Sequence, residues 1–213
     1  MSSRLALIGS GGHAVSLLAM MPRHIEVAGY VDFKASDTFE FPWLGDDEEF
    51  MRQWPEMPVH IAVVMGRGGD MSLRRSIIER YASHPMPVLV AETALVIPSS
   101  HIGQGSAVMH RAVVNGANIG SCNVVNTGAI VEHGVTTGSN VFIGPGAVIC
   151  GGVTIGSDVM IGAGAVVRNN VAIADGSVVG MGSVVTEDIE QCGVYAGNPC
   201  LSLIHISEPT RRS

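Results

Sequence analysis

Residues 142–173 read FIGPGAVICGGVTIGSDVMIGAGAVVRNNVAI, and an isoleucine or valine stands at every sixth position of this stretch. The spacing continues on both sides, so that the whole series is Ile119, Val125, Val131, Thr137, Ile143, Ile149, Ile155, Ile161, Val167, Ile173, Val179 and Val185, with Thr137 as the exception. A period of six fits neither an α-helix nor an ordinary strand. It is the hexapeptide signature of a parallel β-helix, in which the aliphatic side chain points into a triangular coil.

Glycine directly follows many of these aliphatic residues, as in Ile143-Gly144 and Ile161-Gly162. Small residues suit the corners of such a coil, where the chain bends and positive φ angles occur. Between Val108 and Ile119 the spacing slips by one residue. The slip predicts a bulged corner early in the coil.

The first 90 residues or so follow a different pattern. Strands are predicted over 4–8, 26–31, 59–65 and 88–91, and helices over 15–20, 46–54 and 71–82. Alternating strands and helices predict a small parallel α/β sheet. The expected domains are therefore 1–91, an α/β domain, and 92–200, a β-helix.

Composition excludes several classes of protein. The chain of 213 residues has a formal charge of −7 and no basic block, which argues against a nucleic-acid partner. Its four cysteines form no CxxC pair, so a reduced, cytoplasmic protein is expected. The apolar run at the N-terminus is too short for a signal peptide, and no stretch of about 20 apolar residues predicts a membrane span.

The last residues break the hexad pattern. Residues 201–211 read LSLIHISEPTR, which equals the translation of a transposase adapter used in DNA library preparation. We therefore interpret 201–213 as a non-native tail, and His205 is left out of the reasoning on sites. The alternative is a natural apolar and then basic tail.

A glycine-rich turn follows the first predicted strand. Gly9, Gly11 and Ala14 match the spacing of a dinucleotide fingerprint, with Gly12 and His13 inside the turn and Asp32 at the end of the next strand. Backbone N–H groups in such a turn can approach a phosphate. A sheet of this size favours a shorter ligand with two phosphates, such as a nucleotide diphosphate sugar. The alternatives are a tight turn without a ligand and an exposed loop histidine.

The densest polar stretch of the coil is Asn126 to His133, reading NTGAIVEH. His133 lies two residues beyond the inward Val131, so its side chain is not part of the coil core. Asn126 and Glu132 could position an imidazole suited to general-base catalysis. The alternative is a surface histidine on one face of the coil.

The chain as far as Cys200 resembles the hexapeptide acyltransferases that acetylate nucleotide-linked amino sugars or sialic acids. The matching strings are GSGGH at 9–13, GYVD at 29–32, NTGAIVEH at 126–133, GPGA at 144–147 and AGNP at 196–199. The resemblance implies a left-handed β-helix after the Rossmann-like domain, a homotrimer, and acetyl-CoA as co-substrate with no metal required.

The resemblance also implies roles for individual residues. His133 resembles the catalytic base, His13 a residue at the amino-sugar site, Asp32 one that meets the nucleotide, and the N–H of Gly151 the donor that polarises the thioester carbonyl. Coenzyme A would lie in a groove between adjacent coils, near Gly151, Ala163, Gly164, Gly182 and Pro199. Two positions depart from the family pattern, since Gly134 stands where an acid often follows the catalytic histidine and Phe142 where a further histidine is usual.

A metal-dependent hydrolyase and a non-catalytic scaffold are the two alternative classes of function. A metal-dependent hydrolyase on the same coil would need three converging histidines, for which His101, His110 and His133 are the candidates. A non-catalytic scaffold that binds a nucleotide sugar would explain the departures at Gly134 and Phe142. Consumption of acetyl-CoA separates the enzyme from the scaffold.

Overall fold

A computed structural model of the chain describes residues 3–65 and 67–203. The N-terminal part contains the parallel strands β1 (Ser3–Ile8), β2 (Ile25–Val31) and β3 (Val59–Ile61), in the sheet order β2-β1-β3. Its helices are α1 (Gly12–Met20), α2 (Asp47–Gln53) and α3 (Ser72–Arg80), with a 3₁₀ turn over Arg67–Gly69. The α/β alternation predicted from the sequence is present, although β3 is shorter than expected.

Local chemistry explains where two helices begin. The Asp46 carboxylate accepts a hydrogen bond of 2.9 Å from the N–H of Glu49, as an N-cap residue does. In α3 the N-cap residue is Met71, and Asp70 before it accepts from the N–H of Ser72, the first helical residue, at 2.9 Å. Helix α1 differs, because Gly11 at its N-cap position offers no side-chain acceptor. The free end of α1 therefore lies in the glycine-rich turn.

The rest of the chain forms a triangular coil with three parallel faces. The first face contains β4 (Leu89–Val90), β7 (Ala107–Val108), β10 (Val124–Val125), β13 (Phe142–Ile143), β16 (Met160–Ile161), β19 (Val178–Val179) and β21 (Val194–Ala196), with β22 (Leu201–Ser202) antiparallel at its end. The second face contains β5 (Leu95–Val96), β8 (Val113–Val114), β11 (Ile130–Val131), β14 (Val148–Ile149), β17 (Val166–Val167) and β20 (Val184–Val185). The third face contains β6 (His101–Ile102), β9 (Asn118–Ile119), β12 (Thr136–Thr137), β15 (Thr154–Ile155) and β18 (Ala172–Ile173).

The hexad aliphatics fill the inside of this coil, as the period predicts. Val131, Ile143 and Ile149 are completely buried in one cluster that runs along the coil. Burial of each such side chain contributes about 1.5–3 kcal/mol. Thr137, the exception in the series, is accommodated because its hydroxyl accepts hydrogen bonds from the N–H of Gly120 and the amide of Asn123.

Two details of the sequence prediction were wrong. The strand over 88–91 forms, but as β4 it begins the first face of the coil and does not join the α/β sheet. The slip before Ile119 is a shortened corner and not a bulge, because Val114 and Ile119 occupy equivalent inward positions with one residue fewer between them.

The α/β sheet packs on the outer side of the first face. Leu7 and Leu17 share a buried cluster with Val124 and Phe142 of the coil. The two parts of the chain therefore have a continuous apolar junction, which accounts for the buried position of Phe142. No helix among the described residues has the length and apolar character needed to cross a membrane.

Only the first three residues of the predicted tail are described. Leu201 and Ser202 form β22, which pairs with Tyr195 and Ala196 of β21. Residues 204–213, including His205, lie outside the described residues.

Candidate active site

His133 lies at the corner between the second and third faces, directly after β11 and Glu132. Its side chain is exposed, and its ring lies against Gly151 on the next coil. A Cβ placed on Gly151 would come within 2.8 Å of Cε1, 2.9 Å of Nε2 and 3.3 Å of Nδ1 of that ring. Position 151 therefore has to be glycine for the imidazole to occupy this place.

The equivalent corner of the preceding coil, between Val114 and Ile119, is the shortened one. There Asn115 is followed directly by Gly116, whereas the corner of His133 runs Glu132, His133, Gly134. Asn115 donates to Glu132 Oε2 at 2.8 Å, and the N–H of Gly134 donates to the Gly116 carbonyl at 3.1 Å. The preceding coil therefore has no residue that corresponds to His133. Its shorter corner leaves one side of the His133 ring open.

Glu132 and Asn126 do not hydrogen-bond to the His133 ring in the described chain. Glu132 Oε2 accepts from Asn115 and, at 3.4 Å, from the backbone N–H of His133. Asn126 lies at the corner between the first and second faces, and its side-chain oxygen accepts from the N–H of Thr127 at 2.7 Å. Within one chain, Asn126 and His133 lie at opposite ends of β11.

The backbone around Gly151 presents a free donor. The neighbouring N–H groups are used within the coil, since Cys150 donates to the Val167 carbonyl and Gly152 to the His133 carbonyl. The N–H of Gly151 makes no hydrogen bond among the described residues. Gly151 itself is buried, with the His133 ring lying against it.

The positions expected to border coenzyme A lie on another edge. Ala163, Gly164 and Gly182 stack at the corner between the first and second faces, and a Cβ on either glycine would meet no atom within 4 Å. Pro199, also exposed, follows a cis peptide bond. In one chain the width of the second face separates this corner from Gly151.

The glycine-rich turn is open to a ligand. Gly9 has a φ of 105°, and a Cβ there would lie 3.0 Å from Val63 Cγ2, so the fold itself requires this glycine. A Cβ on Gly11 or Gly12 would meet nothing within 4 Å. Packing within the fold therefore does not require glycine at these two positions.

Asp32 lies beside this turn at the end of β2. Its Oδ2 accepts from the N–H of Ser10 at 3.1 Å and from the Ser10 hydroxyl at 2.7 Å, and its carbonyl accepts from the indole of Trp43 at 3.1 Å. Phe33, the next residue, is 80% exposed. The structure therefore brings Gly11, Gly12, His13 and Asp32 to one edge of the sheet.

His13 adjoins a buried polar cluster that the sequence prediction did not include. His60 on β3 and Arg74 on α3 are fully buried. Burial, and then the charge of Arg74, lower the pKa of His13 to about 4 and that of His60 to about 3. The signals in the sequence were a histidine inside the apolar run at 59–65 and an arginine on the inner side of an amphipathic helix.

The histidines proposed as metal ligands lie apart. His101 is exposed on the third face. His110 lies at the corner between the first and second faces, where its ring nitrogens form hydrogen bonds of 2.8 Å with Thr93 Oγ1 and 3.2 Å with the Ala19 carbonyl. Within 3–65 and 67–203, no three His, Cys, Asp or Glu side chains are grouped to hold a metal ion. The structure does not assemble the ligand set of the hydrolyase hypothesis.

The coil and its exposed corner histidine define the class of protein, a hexapeptide-repeat transferase. The family model for bacterial transferase hexapeptide (six repeats) matches residues 134–169 and 152–187. A search of curated protein sequences gives no significant match.

Solved structures are similar over nearly the whole chain. The acetyltransferase domain of PglB from Neisseria gonorrhoeae has a TM-score of 0.84 and 35% identity, covering 94% of this chain and 99% of that one. Perosamine N-acetyltransferase from Caulobacter crescentus has a TM-score of 0.84 and 29% identity, covering 95% and 97%. WeeI from Acinetobacter baumannii, at 21% identity and a TM-score of 0.75, shares the fold. The chain belongs to the family of hexapeptide-repeat sugar acetyltransferases and is an acyltransferase, as the resemblance in the sequence indicated.

Proposed function

We propose that this enzyme transfers the acetyl group of acetyl-CoA to the amino group of a nucleotide-linked sugar, with His133 as the general base. The observation that carries the proposal is the exposed His133 ring seated against Gly151, beside an unpaired backbone N–H. The PglB domain has been solved with acetyl coenzyme A at 34% identity, and the Caulobacter enzyme with CoA and GDP-perosamine. These relatives support both substrates.

The chemical step needs a base, a nucleophile and a site for the oxyanion. His133 takes a proton from the acceptor nitrogen as its lone pair attacks the thioester carbonyl carbon. The oxygen of the tetrahedral intermediate accepts a hydrogen bond from Gly151, an interaction worth about 3 kcal/mol in comparable sites. Collapse breaks the carbon–sulfur bond, and the departing thiolate takes the proton from His133. Amide and free CoA are the products.

The acceptor is proposed to bind at the glycine-rich turn. Its diphosphate would approach the backbone of Gly11 and Gly12 at the uncapped N-terminus of α1. The second Asp32 oxygen accepts only from the N–H of Phe33, at 2.9 Å, and can accept further bonds from a ribose or base. The exposed Phe33 ring beside Asp32 offers a surface for the nucleobase.

The second face of the coil supports the proposal of a homotrimer. Its outward side chains are all apolar and are partly exposed in the single chain: Leu95, Val113, Ile130, Val148, Val166 and Val184. The outward positions of the third face are His101, Asn118, Thr136, Thr154 and Ala172, which suit contact with water. The α/β domain covers part of the first face. The second face is therefore the one proposed to pack against other copies.

Threefold packing of the second faces explains the separation of the predicted site residues. It would set the corner of Asn126, Ala163, Gly164 and Gly182 in one copy against the corner of His133 and Gly151 in the next. The coenzyme groove would then be complete only in the assembly. Asn126 of a neighbouring copy could orient His133, which has no side-chain partner of its own.

Two further properties belong to the proposal. A left-handed coil is expected from the resemblance, although it departs from the usual right-handed crossover. Cytoplasmic location is supported by the free cysteines Cys122, Cys150, Cys192 and Cys200 and by the use of acetyl-CoA.

The proposal is tested by thiol release from acetyl-CoA with a panel of UDP-, GDP- and dTDP-linked 4-amino-4,6-dideoxy sugars, with sialic acid as the hydroxyl acceptor. Amino sugars should be acetylated, and His133→Ala should lower turnover by about 10²–10⁴ because only base catalysis is lost. His101→Ala, which also removes an exposed histidine from the coil, should leave turnover unchanged. Binding of a nucleotide sugar without any thiol release would favour the scaffold, and release at the original rate by His133→Ala would make His133 a surface residue.

A further inference from the structure

Behind the glycine-rich turn, three nitrogen-bearing side chains meet in the interior. Enclosed nitrogens without a hydrogen bond of normal geometry among the described residues are Nε2 of His13, both ring nitrogens of His60, and Nη2 of Arg74, although the Pro87 backbone acts on the His60 ring. Buried polar atoms are almost always paired, because an unpaired one destabilises the fold. A group of them beside the expected acceptor site suggests that the cluster serves the site rather than the stability of the fold.

Arg74 is anchored without a carboxylate. Its Nε donates to the Val63 carbonyl at 2.8 Å, and its Nη1 donates to the Cys122 carbonyl at 2.5 Å and to the side-chain oxygen of Asn140 at 2.6 Å. The nearest acid in this network is Asp158, which accepts from Asn140 and forms an ion pair with Arg75. The guanidinium charge is thus held by neutral oxygen atoms, and its field acts fully on the neighbouring rings.

The field acts on His13 from one side. The enclosed nitrogen of that half-buried ring is Nε2, so the Nδ1 edge is turned toward the surface at the turn. The ionisable groups of the described chain around this ring are Arg74 from α3 and His60 from β3, with the Cys122 thiol of the coil beside Arg74. Asp32, at the end of β2, is engaged by Ser10. Burial and Arg74 together place the pKa of His13 near 4, so the ring is neutral at physiological pH.

We propose that Arg74 is a positioning residue: together with the burial of the ring, its charge keeps the His13 imidazole neutral, with the enclosed Nε2 bare and the proton on Nδ1. A nitrogen lone pair facing a cation is favourable, whereas an N–H facing it is not, so the field selects one tautomer. The mouth of the turn then presents a neutral N–H donor. Such a donor recognises an oxygen atom of the acceptor, either a phosphate or a sugar hydroxyl, and it does not bind the amine that has to be acetylated.

The identity of the ligand in this assignment rests on the proposed function. The protonation state and tautomer of the His13 ring do not depend on it. A neutral ring predicts that acceptor binding is insensitive to pH in the range where an ordinary histidine titrates. A charged His13 would strengthen attraction to the diphosphate as the pH falls. The burial of the ring, and in addition the charge of Arg74, remove that dependence, although Arg74 lies outside contact with the acceptor.

The direct test is long-range ¹H–¹⁵N NMR of the histidine rings, with His13 assigned by comparison with His13→Gln. The wild type should show a neutral ring protonated at Nδ1, unchanged between about pH 5.5 and pH 7.5. Arg74→Gln, which removes the charge but leaves the ring buried, should raise the pKa of His13 above its wild-type value and mix its tautomers, and an unchanged ring in this variant would overturn the role of Arg74. Arg74→Lys should restore the wild-type state in part, and Arg75→Gln, one residue away and on the surface, should have no effect.

A binding measurement gives the second readout. The acetylated product of the best panel acceptor has no titrating amine, so its affinity can be followed by calorimetry without acetyl-CoA. Wild-type affinity should stay constant over the same range, whereas that of Arg74→Gln should begin to tighten toward the acid end, because its His13 takes up a proton at a higher pH than in the wild type. Wild-type His13 that titrates normally, or that is protonated at Nε2, overturns the proposal even if Arg74→Gln does not fold. Absence of thiol release with every acceptor would instead overturn the proposed function and leave the NMR result standing.

Discussion

The imidazole of His133 lies against the backbone of Gly151, one coil further along the chain. A Cβ at position 151 would overlap the ring at 2.8 Å from Cε1. The φ angle of Gly151 is not in the left-handed region, so the backbone does not by itself call for glycine. The contact with His133 is what requires it, and the same residue carries the unpaired N–H.

Gly151→Ala should lower kcat by about 10–10³, because the methyl group displaces the ring from its place beside the N–H donor. The melting temperature should change little, since the exposed His133 side chain can move aside from the added methyl group. Steady-state kinetics and a melting curve measure both effects. Cys150→Ala, the adjacent change that shortens a side chain, should keep near wild-type kcat. Full activity in Gly151→Ala would mean that the ring position seen here is not the reactive one.

Gly11→Val should separate ligand binding from folding. The chain leaves open space around Gly11, and its φ of −80° is accessible to valine, so stability should change by less than about 1 kcal/mol. The branched side chain should obstruct a phosphate at the turn and raise the acceptor KM about tenfold or more, with little change in the KM for acetyl-CoA.

Gly9→Val is the matched control for this experiment. Its φ of 105° and its contact with Val63 predict loss of folding in place of a change in KM. An unaltered acceptor KM in Gly11→Val would show that the turn binds no ligand. Equal weakening of both substrates would show that the acceptor and donor sites are not divided between the two parts of the chain.

Val148→Asp should dissociate the proposed trimer, because it places a charge at the middle of the apolar second face. Val148 pairs in register between Ile130 and Val166, so a carboxylate at position 148 would lie inside the proposed interface. Light scattering should report one chain of 22.2 kDa in place of three, and thiol release should be lost. Thr154→Asp on the third face is the control and should stay trimeric. A fully active wild-type monomer would contradict the shared site.

The free energy of unfolding should fall in acid because of His60. Its pKa is about 3 in the folded chain and 6.5 as an ordinary histidine. Below pH 6.5 the unfolded chain binds a proton that the folded chain does not, so His60 lowers stability by up to about 1.4 kcal/mol per pH unit until pH approaches 3. Above 6.5 both states are neutral and this effect is absent.

His60→Leu should remove that part of the pH dependence. Denaturant unfolding at about pH 7.5, 5.5 and 4.5 should give a slope that is smaller by about one proton than in the wild type. Stability at neutral pH should change little, because removal of poorly paired buried nitrogens offsets the lost interaction of the ring with the Pro87 backbone. An unchanged slope would mean that His60 is charged or solvated in the folded chain.

The sequence by itself determined the coil, because side-chain direction in a hexad is set locally by its place in the repeat. Ile143 and Val167 could be assigned to the interior without knowledge of any contact. Asp46 as a helix cap and the turn at Gly9 were readable for the same reason, since the chemistry lies within a few residues. One coil consists of three hexads, and this 18-residue offset is enough to place Gly151 beside His133.

Only the tertiary structure decided which distant groups meet. The strand at 88–91 is apolar enough for either sheet, and packing against Ala107 and Val108 placed it in the coil. The slip before Ile119 predicted an irregular corner, but its position opposite His133 depends on the register of two coils. His60 and Arg74 looked like an isolated histidine and a helix arginine, because their meeting beside His13 requires β3, α3 and the coil to pack together. Contacts of this kind depend on the relative placement of whole elements, which no local spacing encodes.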